Sequence, residues 1–477
     1  MFIPSKYQKA IFDWHDTNQG KSGSLVVQAV AGSGKTTTGV IALNEHVPVK
    51  LNSAAIAFNK SIADNLSAKL PNRTVKTYHA LGLMNITSSF GRVKVDNNKI
   101  SMIIKDRLAY WEKPLISPIK QLVGLCKNNL ITPTNENLYD LADYYNIELN
   151  GSSEKIFNYV EFAYEKSLEM INIIDFDDMI SMPILLNLPI RKFDYMFVDE
   201  LQDTNPAQAE LVLLSLSNGG VIVGYGDWRQ SIYAFRGADI DAMPKFQQRF
   251  NADELPLSIS YRNPLEIVKL VNDNFPEITF EAFENAIQGE IENATIGKIN
   301  FIPDDMILCR INAPLVKPCF RLIRNGIKAI IKGRDIGLNL LSMINKIKVT
   351  ELPELLQRLA LYKESEMIKL LAAKKIMQAQ TLDDKIETIF AISDGCITID
   401  DVKNRIATVF SDDIASVVFS SIHKAKGLEA NRVFILRPDL LPHPLAKTAW
   451  QVQQESNLKY VAYTRALQKL TFVMGEE

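Results

Sequence analysis

Residues 29–37 read "AVAGSGKTT" and follow directly on the apolar run "SLVVQ" at 24–28. A loop of the form G-x-x-x-x-G-K-[ST] between a strand and a helix cradles phosphates. Its backbone N–H groups and the helix N-terminus face the anion, the lysine adds charge, and the hydroxyl holds magnesium. On this pattern Ala31, Gly32, Ser33, Gly34, Lys35, Thr36 and Thr37 form the candidate phosphate loop. Gly32 and Gly34 give the turn its freedom, Lys35 is the phosphate lysine and Thr36 the metal hydroxyl. Ala29 stands where the pattern has its first glycine. A methyl group is tolerated there if the backbone is not left-handed. The flanks suit the loop: "SLVVQAV" reads as a buried strand and "KTTTGVIALNEHV" as a helix.

Such a loop needs a carboxylate for magnesium at the tip of a second buried strand. "FDYMFVDELQD" (193–203) supplies it, because the apolar run Tyr195–Val198 delivers Asp199 and Glu200 at its end. Asp199 suits the metal, and Glu200 is placed to polarise an attacking water.

The rest of the chain bounds the setting. At 477 residues it exceeds a single core, and its 47% hydrophobic and 23% charged residues are those of an ordinary globular protein. No apolar run reaches the length of a bilayer span, and "MFIPSKYQKAIFDW" lacks a signal-peptide pattern, so we expect a cytoplasmic protein without a membrane partner. The cysteines, Cys126, Cys309, Cys319 and Cys396, form no C-x-x-C pair, which argues against a zinc site or a disulfide framework. The net charge of −2 excludes a protein coated in basic residues, but a local groove suffices for nucleic acid. Residues 321–375 carry 12 Lys and Arg against 5 Asp and Glu, a run whose plain reading is a solvated face.

Six stretches occur in a telling order: "AGSGKT" (31–36), "VDELQDTNPAQ" (198–208), "GYGDWRQSIYAFRGA" (224–238), "SYRNP" (260–264), "HKAKGLE" (423–429) and "YVAYTRA" (460–466). As an ordered set they resemble the UvrD/Rep/PcrA family of superfamily 1 DNA helicases, over nearly the whole chain. The resemblance implies ATP and Mg2+ as cofactors. Gln8 matches the family's adenine-reading glutamine, whose amide both donates and accepts. Tyr261 resembles the aromatic that stacks on the base, and Glu429 the acid near the ribose or the magnesium shell. Gln230 resembles the sensor of the terminal phosphate, while Gln202 and Asp203 resemble residues coupling the hydrolytic site to its neighbours. Arg262 and Arg465 match two arginine fingers that stabilise charge on the transferring phosphoryl group.

The same resemblance implies a grip on single-stranded DNA through stacking and phosphate contacts, which tolerate any base sequence. Phe58, Asn59 and Lys60 fit the first DNA motif, and Thr77, Tyr78 and His79 the next. Tyr233, Phe235 and Arg236 alternate aromatics with a cation, and His423 opens the motif on the second half. Departures are visible. Trp228 and Arg229 stand where many relatives carry acids, and Thr37 where relatives often carry an arginine.

The implied fold is α/β, with two RecA-like parallel-sheet domains in tandem, each carrying a mainly helical insertion. We expect the first core at 1–82 and 175–258, with an insertion at 83–174. "DFDDMI" (175–180) resembles the point where the chain returns to the core. The second core is expected at 259–338 and 416–477, built on the apolar runs "MILC", "VVFSSI", "RVFIL" and "LTFVM", with a reduced insertion at 339–415. The function this implies is 3′ to 5′ movement on single-stranded DNA with unwinding of duplex, driven by Mg-ATP. It would act at DNA junctions in the cytoplasm of a bacterial cell, either as the cell's own protein or as a phage-encoded one. The short second insertion leaves room for an alternative, a helicase-like regulatory subunit of a partner nuclease, and for a repair or replication factor as partner.

Overall fold

The computed structural model of the protein describes residues 2–475 apart from 19–22, 146, 148, 150–151, 233–240, 373–375, 412–415, 445 and 447–448. The chain divides into two units, Met1–Ser258 and Ile259–Glu477. No helix among the described residues is long and apolar enough to cross a membrane.

The first unit is a parallel sheet built from β1 (Gly23–Ala29), β2 (Ser53–Ala57) and β3 (Thr74–Thr77), then, beyond a two-stranded β4 (Lys94–Val95) and β5 (Ile173–Ile174), from β6 (Phe193–Val198), β7 (Leu216–Gly226) and β8 (Asp253–Leu257). Its order is β3-β2-β6-β7-β1-β8, with every pairing parallel. Parallel strands joined by crossover helices are covered on both faces, so they read as continuous apolar runs. Leu25, Val27, Ala55, Phe197 and Val223 pack on one face, while Val26, Ile56, Met196 and Ile222 pack on the other.

Between β3 and β6 the chain leaves the sheet. The helices Ile116–Asn129, Asn135–Tyr144 and Ser153–Glu169 close a separate core around Ile104, Ile119, Leu122, Leu138, Phe157 and Val160. The expected boundary at 82/83 falls inside the helix Tyr78–Phe90. That helix lies so close to the helix Phe176–Leu185 that a Cβ on Gly82 would sit 1.8 Å from the Met179 carbonyl oxygen.

The second unit begins with β9 (Ile259–Ser260) and β10 (Glu281–Ala282), paired with each other. Its main sheet comprises β11 (Glu290–Thr295), β12 (Met306–Cys309), β13 (Ala329–Lys332), β14 (Phe410–Ser411), β15 (Val417–Ser421), β16 (Ala430–Leu436) and β17 (Ala466–Met474). The order is β11-β17-β16-β12-β15-β13-β14, again parallel throughout. The segment expected as a reduced second insertion packs its helices onto the core of this sheet. Its boundary at 338/339 lies within the helix Arg334–Lys346. Leu340, Leu355, Ile389, Val402 and Ile406 share one core with Ile307, Ile331 and Phe419 of the sheet. These helices bury their apolar residues against the strands and one another.

Candidate nucleotide and nucleic-acid site

In a parallel α/β sheet the loops after the C-terminal strand ends form the ligand edge. In the first unit that edge gathers residues scattered in sequence. The phosphate loop follows β1, Asp199 and Glu200 follow β6, Asp227–Gln230 follow β7, Phe58–Lys60 follow β2, and Tyr78 and His79 follow β3.

Ala29 is the last residue of β1, pairs with Leu257 of β8, is buried, and is absent from the left-handed positions. An L side chain therefore costs nothing there. The left-handed positions are Gly32 (φ 72°) and Gly34 (φ 79°), where glycine is present. Lys35 opens the helix Lys35–Ile41, so its first N–H groups point into the loop. The Ser33 hydroxyl is buried with no hydrogen-bond partner among the described residues. An orphaned donor inside a glycine turn at a helix N-terminus fits a phosphate group.

The metal side fits as well. Thr36 Oγ1 donates to Asp199 Oδ2 at 3.0 Å, bringing two hard oxygen ligands together. Magnesium takes one or two such protein groups and fills its remaining positions with phosphate and water. Burial first, and the neighbouring Glu200 charge second, push the Asp199 carboxyl up to about 6, against the pull of Lys35 and Thr36. Lys35 Nζ stands 3.8 Å from Glu200 Oε1. Glu200 holds a left-handed backbone (φ 52°), a conformation costing about 1–2 kcal/mol in a residue with a Cβ.

A polar relay leads away from Glu200. The Gln202 amide donates to the Glu200 carboxylate, and its Oε1 accepts from the Asp227 N–H at 3.0 Å. Asp227 in turn accepts from Gln230 Nε2 at 2.7 Å and from the Arg229 N–H at 3.1 Å. The carboxylate after β6 and the glutamine after β7 are thereby linked through buried partners. Gly226 keeps the path open, since a Cβ there would lie 2.9 Å from Gln202 Oε1 and 2.6 Å from Met243 Sδ. Gln8 is buried, with its oxygen accepting from the Ser5 N–H at 3.0 Å and its Nε2 donating to Thr38 Oγ1 at 3.1 Å.

On the second unit, Arg262 Nε meets Glu429 Oε2 at 2.7 Å, and the Tyr261 ring, 42% exposed, tilts against Phe283 at 5.1 Å. Asn263 Nδ2 donates to the carbonyls of Thr464 (3.2 Å) and Ala466 (3.1 Å), fastening the Arg262 loop to the Arg465 turn. Arg465 is buried. Its guanidinium donates to Val461 O (3.0 Å), Leu428 O (3.2 Å) and Thr464 Oγ1 (3.1 Å).

Residues 14–251 match the model of the UvrD/REP helicase N-terminal domain, and residues 373–477 that of the UvrD-like helicase C-terminal domain. The chain belongs to the UvrD/Rep helicase family. Among similar proteins, the ATP-dependent DNA helicase Rep of Buchnera aphidicola subsp. Acyrthosiphon pisum is 29% identical over 313 residues, 58% of this chain and 47% of that protein. Rep of Escherichia coli (strain K12) is 28% identical over 53% of this chain and 41% of its own length. PcrA of Bacillus subtilis (strain 168) is 27% identical over 53% and 37%. The matched part of the chain thus spans less than half of each of these relatives.

As a UvrD/Rep family member the chain places its expected DNA residues unevenly. Phe58 (36% exposed) and Lys60 stand on the surface after β2. Asn59 and Thr77 are helix N-caps, accepting from the N–H groups of Ile62 (2.9 Å) and Ala80 (3.1 Å). The Tyr78 ring lies 1% exposed among Leu81, Met196 and Leu211, and its hydroxyl lies 2.9 Å from Thr204 Oγ1. A bulky ring at the start of an amphipathic helix follows the apolar side into the core. His79 is half-buried, edge-on to Phe176 at 5.6 Å, and burial lowers its pKa. His423 is half-buried in the short helix after β15. Tyr233, Phe235 and Arg236 lie outside the described residues. Sequence reasoning did not single out Gly226, Asp227 and Asn263, although all three lie in quoted motifs next to residues it did name.

Proposed function

We propose that the chain is an Mg-ATP-dependent motor that moves 3′ to 5′ along single-stranded DNA and separates duplexes at junctions. The observation that carries this reading is the pair of contacts at the ends of β1 and β6, Thr36–Asp199 at 3.0 Å and Lys35–Glu200 at 3.8 Å. The names of the Rep and PcrA relatives support the substrate.

In this reading Lys35, the loop N–H groups and the Ser33 hydroxyl hold the terminal phosphates, with Thr36 and Asp199 toward the metal. Bound magnesium supplies neutralisation of phosphate charge. Glu200 orients and accepts a proton from the attacking water, and Gln230 reports the phosphate state through Asp227 and Gln202. Tyr261 stacks on the base and Glu429 faces the ribose. Arg262 and Arg465 reach the terminal phosphate from the second unit. In this reading Arg262, whose Nε meets Glu429, and Arg465, whose guanidinium donates to backbone carbonyls, exchange part of these contacts for the phosphate. A ligand moves such an equilibrium only by its differential affinity for the two arrangements. Repeated exchange ratchets the strand past Phe58, Lys60 and His423.

The test is strand separation by the purified chain on 3′-tailed and 5′-tailed duplexes, with DNA-stimulated ATP hydrolysis alongside. We expect activity on the 3′-tailed substrate and none with Lys35→Ala. Full turnover in Lys35→Ala would overturn the site, and activity only with an added partner would make the chain a subunit instead.

A further inference from the structure

The helical part of the first unit carries an aromatic tip that the site above does not use. Tyr110 and Trp111 are adjacent, and they are 79% and 80% exposed. Aromatic rings ordinarily gain most by burial, so two adjacent rings held in water stand apart from scattered surface hydrophobics. The tip is fixed from beneath. Glu112 is buried, accepts from the Ala109 N–H at 2.9 Å and pairs with Lys155. The Tyr159 hydroxyl lies 2.9 Å from the Arg107 carbonyl oxygen and 3.4 Å from Glu112 Oε2. Leu115 enters the helical core, and the Arg107 guanidinium stacks over Phe162 at 3.7 Å. Because the turn is pinned at both ends, its two rings are presented outward by the fold.

The charge around the rings selects the occupant. Between 105 and 113 the exposed ionisable groups are Lys105, Arg107 and Lys113 against Asp106. Lys113 Nζ sits 4.4 Å over one face of the Tyr110 ring. Trp111 takes part in no hydrogen bond or ring contact among the described residues. Open π-faces interleaved with cations are what stacks bases and tracks phosphates without regard to sequence. An apolar protein partner would be poorly served by a segment in which exposed cations outnumber acids.

We propose that Tyr110 and Trp111 form an auxiliary base-stacking site for single-stranded DNA, with Lys105 and Lys113 on the flanking phosphates. This rests on the DNA-binding reading of the chain.

The experiment is equilibrium binding of a fluorescein-labelled oligothymidylate by the full chain over a salt series, with thermal melts to show that each variant is folded. Trp111→Ala should weaken binding about tenfold, the size of one lost stacking contact. Trp111→Phe should restore most of it, and Lys113→Gln should lower the salt slope by about one. A strand carrying 2-aminopurine should be quenched by the native chain and by Trp111→Phe, but less by Trp111→Ala. If the native chain binds the strand and Trp111→Ala binds it equally well, the stacking site is refuted while the motor reading stands. If the native chain binds no DNA, both fall.

Discussion

Removing the Asp178 carboxylate tests the joint between the inserted helices and the sheet. Asp178 is fully buried on the helix Phe176–Leu185. Its Oδ2 accepts from Lys99 Nζ at 2.7 Å, its Oδ1 stands 2.7 Å from Lys127 Nζ, and the Ser167 hydroxyl donates to it at 3.2 Å. Both lysines are fully buried and both belong to the inserted segment. Burial would raise the Asp178 carboxyl, but the charges of Lys127 and Lys99 prevail and hold it below its ordinary value. Its contribution is therefore present at neutral pH and is lost only as pH falls through that lowered value. In Asp178→Ala, Lys127 keeps Asp175 at 3.2 Å, whereas Lys99 keeps only the carbonyls of Ser167 (2.7 Å) and Met170 (3.0 Å). Stranding one buried cation costs about 3–5 kcal/mol, a large share of the roughly 5–15 kcal/mol that holds a domain folded. Native-state hydrogen exchange on the full chain reads this locally. Protection in the helices Ile116–Asn129 and Ser153–Glu169 should fall by that amount, while β12 and β15 of the second unit keep theirs. Combining it with Lys99→Met, which removes the stranded charge, should recover part of the loss. A loss under about 1 kcal/mol in Asp178→Ala would refute the claim that this network holds the insertion.

Other expectations follow from single positions. His15 is buried against the Tyr195 hydroxyl (2.8 Å), and burial first, then the His46 charge, lower its pKa to about 3. The unfolded chain then binds the extra proton, so His15 costs the fold up to about 1.4 kcal/mol per pH unit as pH falls from about 6.5. His15→Gln should flatten the stability–pH curve there, and parallel curves would refute it. Ala29→Gly should lower stability by about 0.5–1 kcal/mol with no gain in nucleotide affinity, because the strand end needs no left-handed residue. Gly34→Ala, at φ 79°, should instead weaken nucleotide binding by about tenfold, as a strain of about 1–2 kcal/mol would. Asn263→Ala removes the link to the Thr464 and Ala466 carbonyls and should cut kcat for ATP hydrolysis about tenfold with nucleotide Kd unchanged; a rise in KM alone would show that it positions nothing.

What could be read from the sequence was chemistry that requires a residue type at a fixed place. A phosphate loop needs glycine at its left-handed positions, and a metal site needs oxygen groups at strand tips; Gly32 and Gly34 do take left-handed φ, and Thr36 and Asp199 do meet at 3.0 Å. Whether a side chain faces in or out has no such signature. Lys99 and Lys127 look like surface lysines because lysine is almost never buried without a partner, and their acidic partners lie 48–79 positions away in the chain. Tyr78, buried, and Trp111, exposed, show the same ambiguity, since an aromatic ring beside a helix start suits a core or an exposed surface equally well. The expected boundaries at 82/83 and 338/339 each fall within a helix, because helical periodicity runs straight through both points and leaves no break in the sequence to mark an end.

The glycine missing at residue 29 shows how far a pattern can be trusted. What the site needs at that position is a buried strand end closing against Leu257, which alanine meets, and the left-handed turns come at Gly32 and Gly34. The same separation applies to the arginines. Their motifs single them out in the sequence, while Asn263, unremarkable there, ties the Arg262 loop to the Arg465 turn, with Arg262 on Glu429 and Arg465 on backbone carbonyls. If those contacts are the resting state that nucleotide must displace, weakening the Arg262–Glu429 pair should help binding. Glu429→Gln would then tighten nucleotide binding unless the carboxylate is itself needed at the ribose, in which case the same change loosens it, so the sign of one Kd shift decides between the two roles.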